Sequence, residues 1–162
     1  MEKEIRFTLN GINRNLRVKT SDKLLDVLRE RLGMISVKYG CGKGECGACT
    51  VLLDGKTVRS CLILAVEADG REIETLEGFQ SSGKTRIQEI YAKHNAFQCG
   101  FCAPGFILST EELLRLNPEP DELEIREALA GNLCRCTGYK NILDAVDEMV
   151  KTGKGGRKRR RS

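Results

Sequence analysis

The chain has 162 residues, 40% of them hydrophobic and 31% charged, a balance that suits a soluble globular protein and leaves no apolar run long enough to span a bilayer. Its formal charge of +4 comes from Lys151, Lys154, Arg157, Lys158, Arg159, Arg160 and Arg161; without these seven the body holds 20 basic against 23 acidic residues, which argues against a nucleic-acid partner. The opening MEKEIRFTLNG lacks the basic, apolar and small-residue regions of a secretory signal. The expectation is therefore a cytoplasmic protein, where thiols stay reduced and eight clustered cysteines hold metal rather than form disulfides.

In chain order, Ile5, Phe7 and Leu9 alternate with polar residues, Asn10-Gly11 signals a two-residue turn, and Leu16 and Val18 resume the alternation, so the chain opens as a β-hairpin. Ser21 or Asp22 is placed to cap a helix carrying Leu24, Leu25, Leu28 and Leu32, with Gly33 to end it. After a Gly-rich cysteine loop, Thr50 to Leu53, the Asp54-Gly55 turn, Lys56 to Val58, Leu62 to Val66 and Glu72 to Leu76 read as short strands. The first half is β-rich with one helix.

From about Ser81 the period becomes helical, first through Ile87, Ile90 and Tyr91. Pro104 suits the first turn of a second helix through Ile107, Leu108, Leu113 and Leu114, stopped at Asn117-Pro118. Asp121 and Glu124 form a capping-box pattern ahead of Leu123, Ile125, Ala128 and Leu129, and a last helix carries Ile142, Ala145, Val146 and Met149. The Gly- and Ser-rich segment Glu77 to Lys84 reads as the linker between a β-rich domain and a small helical bundle. The tail GKGGRKRRRS has no apolar residue and is expected to be disordered; a solvated terminus is favoured over a role in binding nucleic acid or an anionic surface.

Cys41, Cys46 and Cys49 have the C-x4-C-x2-C spacing of plant-type ferredoxins, with Cys61 downstream as fourth ligand. One loop then wraps a [2Fe-2S] cluster and presents three thiolates, while the fourth arrives from the next element. Gly40, Gly42, Gly44 and Gly47 allow the backbone to approach the sulfurs, so that N–H groups offset the negative charge of the cluster. The second set, Cys99 and Cys102 in QCGFC with Cys134 and Cys136 in NLCRC, sits at helix edges, where unpaired N–H groups and the helix dipole favour a negative cluster. Spacing alone leaves two readings there, a second [2Fe-2S] cluster or a tetrahedral zinc, although C-x-C is not the common second half of a zinc site. His94, the only histidine, would have to displace a matched cysteine to serve as ligand, and reads as a surface or capping residue.

Three motifs in order, YGCGKGECGACTV from Tyr39 to Val51, QCGFCAPG from Gln98 to Gly105 and GNLCRCTGY from Gly131 to Tyr139, together resemble the small iron–sulfur subunit of the xanthine oxidase family of molybdenum hydroxylases, over roughly residues 3 to 150. The resemblance implies an α+β chain. A ferredoxin-like β-grasp domain (1–78) would bind one [2Fe-2S] cluster through Cys41, Cys46, Cys49 and Cys61. A four-helix domain (79–150) would bind the other through Cys99, Cys102, Cys134 and Cys136, and a disordered basic tail (151–162) would follow. It also implies two partners, a large molybdopterin-binding subunit and a medium FAD-binding subunit. The helical-domain cluster would lie next to the molybdopterin, with Gln98 and Cys136 matching pterin-facing positions, and the other cluster would face the flavin. Ala103 stands where the family pattern leads one to expect Thr. No nucleotide fingerprint, nucleophile with its base or paired-carboxylate site is present in the sequence, so substrate chemistry is expected in the molybdenum subunit and electron relay in this one.

Overall fold

The structure, a computed structural model, describes residues 1–83 and 85–158, the last five by their backbone alone. The opening hairpin forms as the alternation requires: β1 (Glu2–Leu9) and β2 (Ile12–Lys19) pair antiparallel with Leu9 opposite Ile12. Asn10 and Gly11 both take positive φ, 52° and 78°, which matches the right-handed twist of the strands they join. β3 (Thr50–Leu53) and β4 (Lys56–Arg59) make a second hairpin around Asp54-Gly55, again with positive φ at both residues. β5 (Glu72–Glu74) lies between the hairpins, parallel to β1 and antiparallel to β3, giving a mixed five-stranded sheet of order β2-β1-β5-β3-β4.

Against one face of this sheet packs α1 (Leu24–Asp26), which continues directly as a π-helical turn over Val27–Arg31. Leu24, Leu25, Val27 and Leu28 join Ile5, Phe7, Leu9, Val51, Leu53 and Ile73 in the first core. Gly33 ends the helix with φ 71°, as expected from a left-handed C-terminal glycine. The expected cap does not form: Lys23 precedes α1 without a side-chain cap, and the Asp22 carboxylate accepts from Lys19 N–H instead, tying off the end of β2. The expected strand over Leu62 to Val66 is also replaced. Only Leu64 makes an isolated bridge, with Lys23, and Ala65–Ala68 coil into a 3-10 turn whose buried alanines meet β1 and β2. Glu67 accepts from Leu64 N–H and the Asp22 carbonyl accepts from Ala65 N–H, so one local and one distant partner consume the amides that a strand would have offered a neighbour.

While Lys84 lies outside the described residues, most of the expected linker, Glu77 to Ser81, lies in a helix, α2 (Leu76–Ser81). Its Phe79 is almost fully buried in the second core, burial worth about 1.5–3 kcal/mol, and this anchors a segment whose Gly and Ser content reads as loose. Then follow α3 (Arg86–Lys93), α4 (Ala103–Leu116), α5 (Glu122–Leu129) and α6 (Lys140–Lys158). Pro104 sits in the first turn of α4, and α4 ends before Asn117, whose backbone is extended. The Asp121–Glu124 capping box is formed in both directions, at 2.9 and 2.7 Å. α6 continues through the start of the expected tail: Lys151 pairs with Asp147, and the Thr152 hydroxyl bonds the Glu148 carbonyl. Residues 159–162 of that tail lie outside the described residues.

Strand alternation joins the two halves. Val51 and Leu53 face the first core, whereas Leu52, between them, belongs to the core of the helical half and meets α4. β3 is consequently buried on both faces.

Candidate metal centres

Hairpin register gathers the first set. Thr50 pairs with Arg59, so Cys49, just before β3, and Cys61, just after β4, emerge side by side from the same hairpin end. Ser60 fastens them, its N–H and hydroxyl both donating to the Cys49 carbonyl at 3.2 and 2.7 Å. Cys41 and Cys46 come from the loop between α1 and β3. There the Lys43 and Cys46 amides each donate to Cys41 Sγ at 3.4 Å, and the Cys41 amide donates to Cys46 Sγ at 3.4 Å. The Lys43 amide, followed by that of Cys46, brings the Cys41 thiol down to about 6, while burial pushes Cys61 up to about 11. Gly44 is in the left-handed region at φ 81°, and a Cβ there would strike the Leu62 side chain, so another residue would be strained in the loop.

Helix ends gather the second set. Cys102 immediately precedes α4, Cys99 lies three residues earlier, and Cys134 and Cys136 lie in the connection between α5 and α6. Cys99 and Cys136 are exposed with their sulfurs 3.7 Å apart, Cys102 is buried and Cys134 half-buried. Burial raises the Cys102 thiol to about 12, whereas the Phe101 amide lowers Cys99. Burial also opposes ionisation of Cys134, but the Thr137 hydroxyl and the Cys136 and Thr137 amides outweigh it and lower that thiol. Gln98, also exposed, donates from Nε2 to the Cys136 carbonyl at 3.1 Å, so the two residues singled out from the sequence are neighbours. Ala103, the departure from the family pattern, is the first residue of α4. His94 ends α3, its Nε2 2.8 Å from a Glu148 carboxylate oxygen, away from both sets.

All eight cysteines are free thiols. Their chemistry fits two iron–sulfur clusters: four sulfurs per set, amides aimed at sulfur, and buried thiols whose ionisation is unfavourable until a cation compensates it. Among the described residues no three His, Cys, Asp or Glu side chains close on one point as a single metal ion would require; four thiolates spread around two irons and two sulfides have no such need.

The two sets meet at a joint that sequence patterns did not reveal. The Leu133 amide donates to the Cys46 carbonyl at 2.9 Å, linking the loop of one set to the residue before Cys134. Arg59 spans the joint, Nη1 to Thr50 Oγ1 at 2.8 Å and Nη2 to the Gly131 carbonyl at 2.7 Å. Asn132, 2% exposed, donates to Ser109 Oγ on α4 at 2.9 Å. Backbones approach so closely that a Cβ on Gly47 would come within 2.5 Å of the Gly131 carbonyl, and one on Gly105 within 2.5 Å of the Gly47 carbonyl. The only hint in the sequence is that glycines stand beside the cysteines in all three motifs.

Residues 7–76 match the family described as a 2Fe-2S iron-sulfur cluster binding domain, and residues 75–147 the family described as a [2Fe-2S] binding domain. The chain is 50% identical over 152 residues to the xanthine dehydrogenase iron-sulfur-binding subunit of Escherichia coli O157:H7, covering 91% of this chain and 94% of that one. It is 48% identical over 143 residues to the nicotine 6-hydroxylase small subunit of Paenarthrobacter nicotinovorans, covering 88% and 87%. The crystal structure of quinoline 2-oxidoreductase from Pseudomonas putida 86 contains a chain that superimposes with a TM-score of 0.88 at 43% identity, covering 96% of this chain and 98% of that one. With its two [2Fe-2S]-binding domains in this order, the chain belongs to the small iron–sulfur subunits of the xanthine oxidase family of molybdenum hydroxylases.

Proposed function

We propose that Cys41, Cys46, Cys49 and Cys61 hold one [2Fe-2S] cluster within residues 1–78, that Cys99, Cys102, Cys134 and Cys136 hold the second within residues 79–150, and that the chain relays electrons between two partner subunits in the cytoplasm. When bound, each cluster accepts and releases one electron. The observation that carries this reading is the arrangement of the eight thiols as two sets of four whose loops are joined by the bond between Leu133 N–H and the Cys46 carbonyl.

The partners in this reading are a large subunit with molybdopterin and a medium subunit with FAD, each of which exchanges electrons in pairs. The second set faces the molybdopterin. Its Cys99 and Cys136 are exposed, and Gln98, on the same surface, is held against the Cys136 carbonyl. The first set, with Cys49 and Cys61 buried, faces the flavin. The protein's own residues here bind sulfur, orient it and screen it; none acts on substrate. No helix among the described residues is long and apolar enough to cross a membrane, in keeping with a place in the cytoplasm.

The test is stopped-flow absorbance of the assembled complex mixed with its substrate. Gln98→Ala is expected to slow the first phase of cluster reduction by about tenfold through lost positioning, with iron and sulfide content unchanged. An unchanged rate removes Gln98 from the contact. If changes at Gly44 slow that first phase instead, the order of the two clusters is the reverse of the one proposed.

A further inference from the structure

The connection between α5 and α6 contains a closed ring of hydrogen bonds beside Cys134. The Thr137 hydroxyl donates to Cys134 Sγ at 3.2 Å. Its oxygen accepts from the Tyr139 amide at 3.3 Å, and the Tyr139 phenol in turn accepts from the Cys134 amide at 2.9 Å. A hydroxyl has one proton and two lone pairs, so the incoming Tyr139 amide occupies an acceptor site of Thr137 and leaves the proton for sulfur.

This ring is held at a cost. Tyr139 lies in the left-handed region at φ 69°, which is disfavoured for a bulky residue. Its ring meets Phe106 of the helical core edge-on at a centroid distance of 6.2 Å, which secures the phenol. The preceding Gly138, also left-handed at φ 64°, completes the tight bend between Thr137 and Tyr139. Among the described residues the first set has no counterpart: the bonds to the sulfurs of Cys41 and Cys46 come from backbone amides, which no side-chain substitution removes.

We infer that Thr137 is a positioning residue that sets the reduction potential of the second cluster, its hydroxyl stabilising the added negative charge through Cys134 Sγ and Tyr139 holding that hydroxyl in the donating orientation. Hydrogen bonds to cluster sulfurs raise the potential because reduction increases the negative charge they offset. The inference rests on the proposed ligand role of Cys134.

Redox titration monitored by electron paramagnetic resonance, on the cluster-loaded complex, tests it with Thr137→Ala and Thr137→Ser, which differ by one hydroxyl. Thr137→Ala is expected to lower the potential of the second cluster by about a tenfold change in its reduction equilibrium, about 59 mV for a one-electron couple. Thr137→Ser should stay at the wild-type value, and the first cluster should be unmoved in both. Loss of the second signal in Thr137→Ala with retention at wild-type potential in Thr137→Ser would assign the hydroxyl to holding the cluster and would overturn the inference. A wild-type potential in Thr137→Ala overturns it, as does an equal fall in Thr137→Ser, which would assign the effect to the methyl group. Cys134→Ser separates this from the ligand assignment: if that variant keeps both clusters at wild-type potentials, the assignment fails, and if it loses the second signal while Thr137→Ala is silent, only the Thr137 role fails.

Discussion

The β-rich half and the helical half each present four thiols, by opposite means. In the first, a single loop folds over the sulfurs, with amides of Cys41, Lys43 and Cys46 pointed inward and Cys49 and Cys61 withdrawn into the sheet core. In the second, two helix edges meet, and Cys99 and Cys136 stand at the surface. A wrapped site is insulated and its potential is built from the main chain, whereas an edge site is reachable by a partner and adjustable by side chains such as Thr137. Equal stoichiometry thus conceals a division between a sheltered position and an accessible one.

The largest expected effect comes from deleting a ligand. Cys46→Ser should abolish one of two distinct [2Fe-2S] paramagnetic signals and lower the melting temperature of the β-rich half by on the order of 10 °C, since binding energy of the metal group is folding energy in a small domain. Retention of both signals with unchanged melting would remove Cys46 from the ligand set. The next effect acts on the joint and should blur the comparison. Gly47→Ala places a methyl within 2.5 Å of the Gly131 carbonyl at a φ of 73°, at an expected cost of about 2–4 kcal/mol. Calorimetry should show both halves losing stability together; a loss confined to one half would mean that they melt independently.

The smallest effect sharpens the comparison through pH. Glu77, half-buried at the start of α2, accepts from Ser36 N–H at 2.8 Å, from Ser36 Oγ at 2.6 Å and from Thr75 Oγ1 at 2.6 Å, steadying the segment that leads into Cys41. Burial alone would raise its carboxyl, but these donors outweigh burial and hold it below the ordinary value. A depressed folded-state value means that the contribution is fully present above the unfolded pKa, about 4.3, and is lost as pH falls through the folded one. Acid titration of stability should therefore show an extra loss below about pH 4. Glu77→Gln should remove that increment and cost about 1 kcal/mol at neutral pH, solvent screening keeping it small; identical acid profiles would show that Glu77 contributes nothing.

Where the sequence carried its own local physics, it was legible. Asn10-Gly11, Asp54-Gly55, the Asp121 and Glu124 box and Asn117-Pro118 each specify a backbone geometry within four residues, and each formed. The element errors arose where a distant partner decided. Leu62 to Val66 has strand composition, but the bond from Ala65 N–H to the Asp22 carbonyl turns it inward. Asp22 has capping chemistry, yet the end of β2 claims its carboxylate. Phe79 makes a helix of a Gly- and Ser-bearing segment because the helical core offers it a place. The same holds at the sites: the cysteine spacings are local and were readable. The ring through Thr137 and Tyr139 depends on the left-handed turn at residues 138 and 139, which no spacing rule contains.

The joint also has a consequence for folding. The carbonyl of Gly131 is capped by Arg59 and the amide of Leu133 by Cys46, and both partners belong to the earlier portion of the chain. Backbone groups of native proteins are mostly paired, and the connection carrying Cys134 and Cys136 finds its partners in the β-rich half. The joint therefore makes the shape of each site depend on the other half being folded.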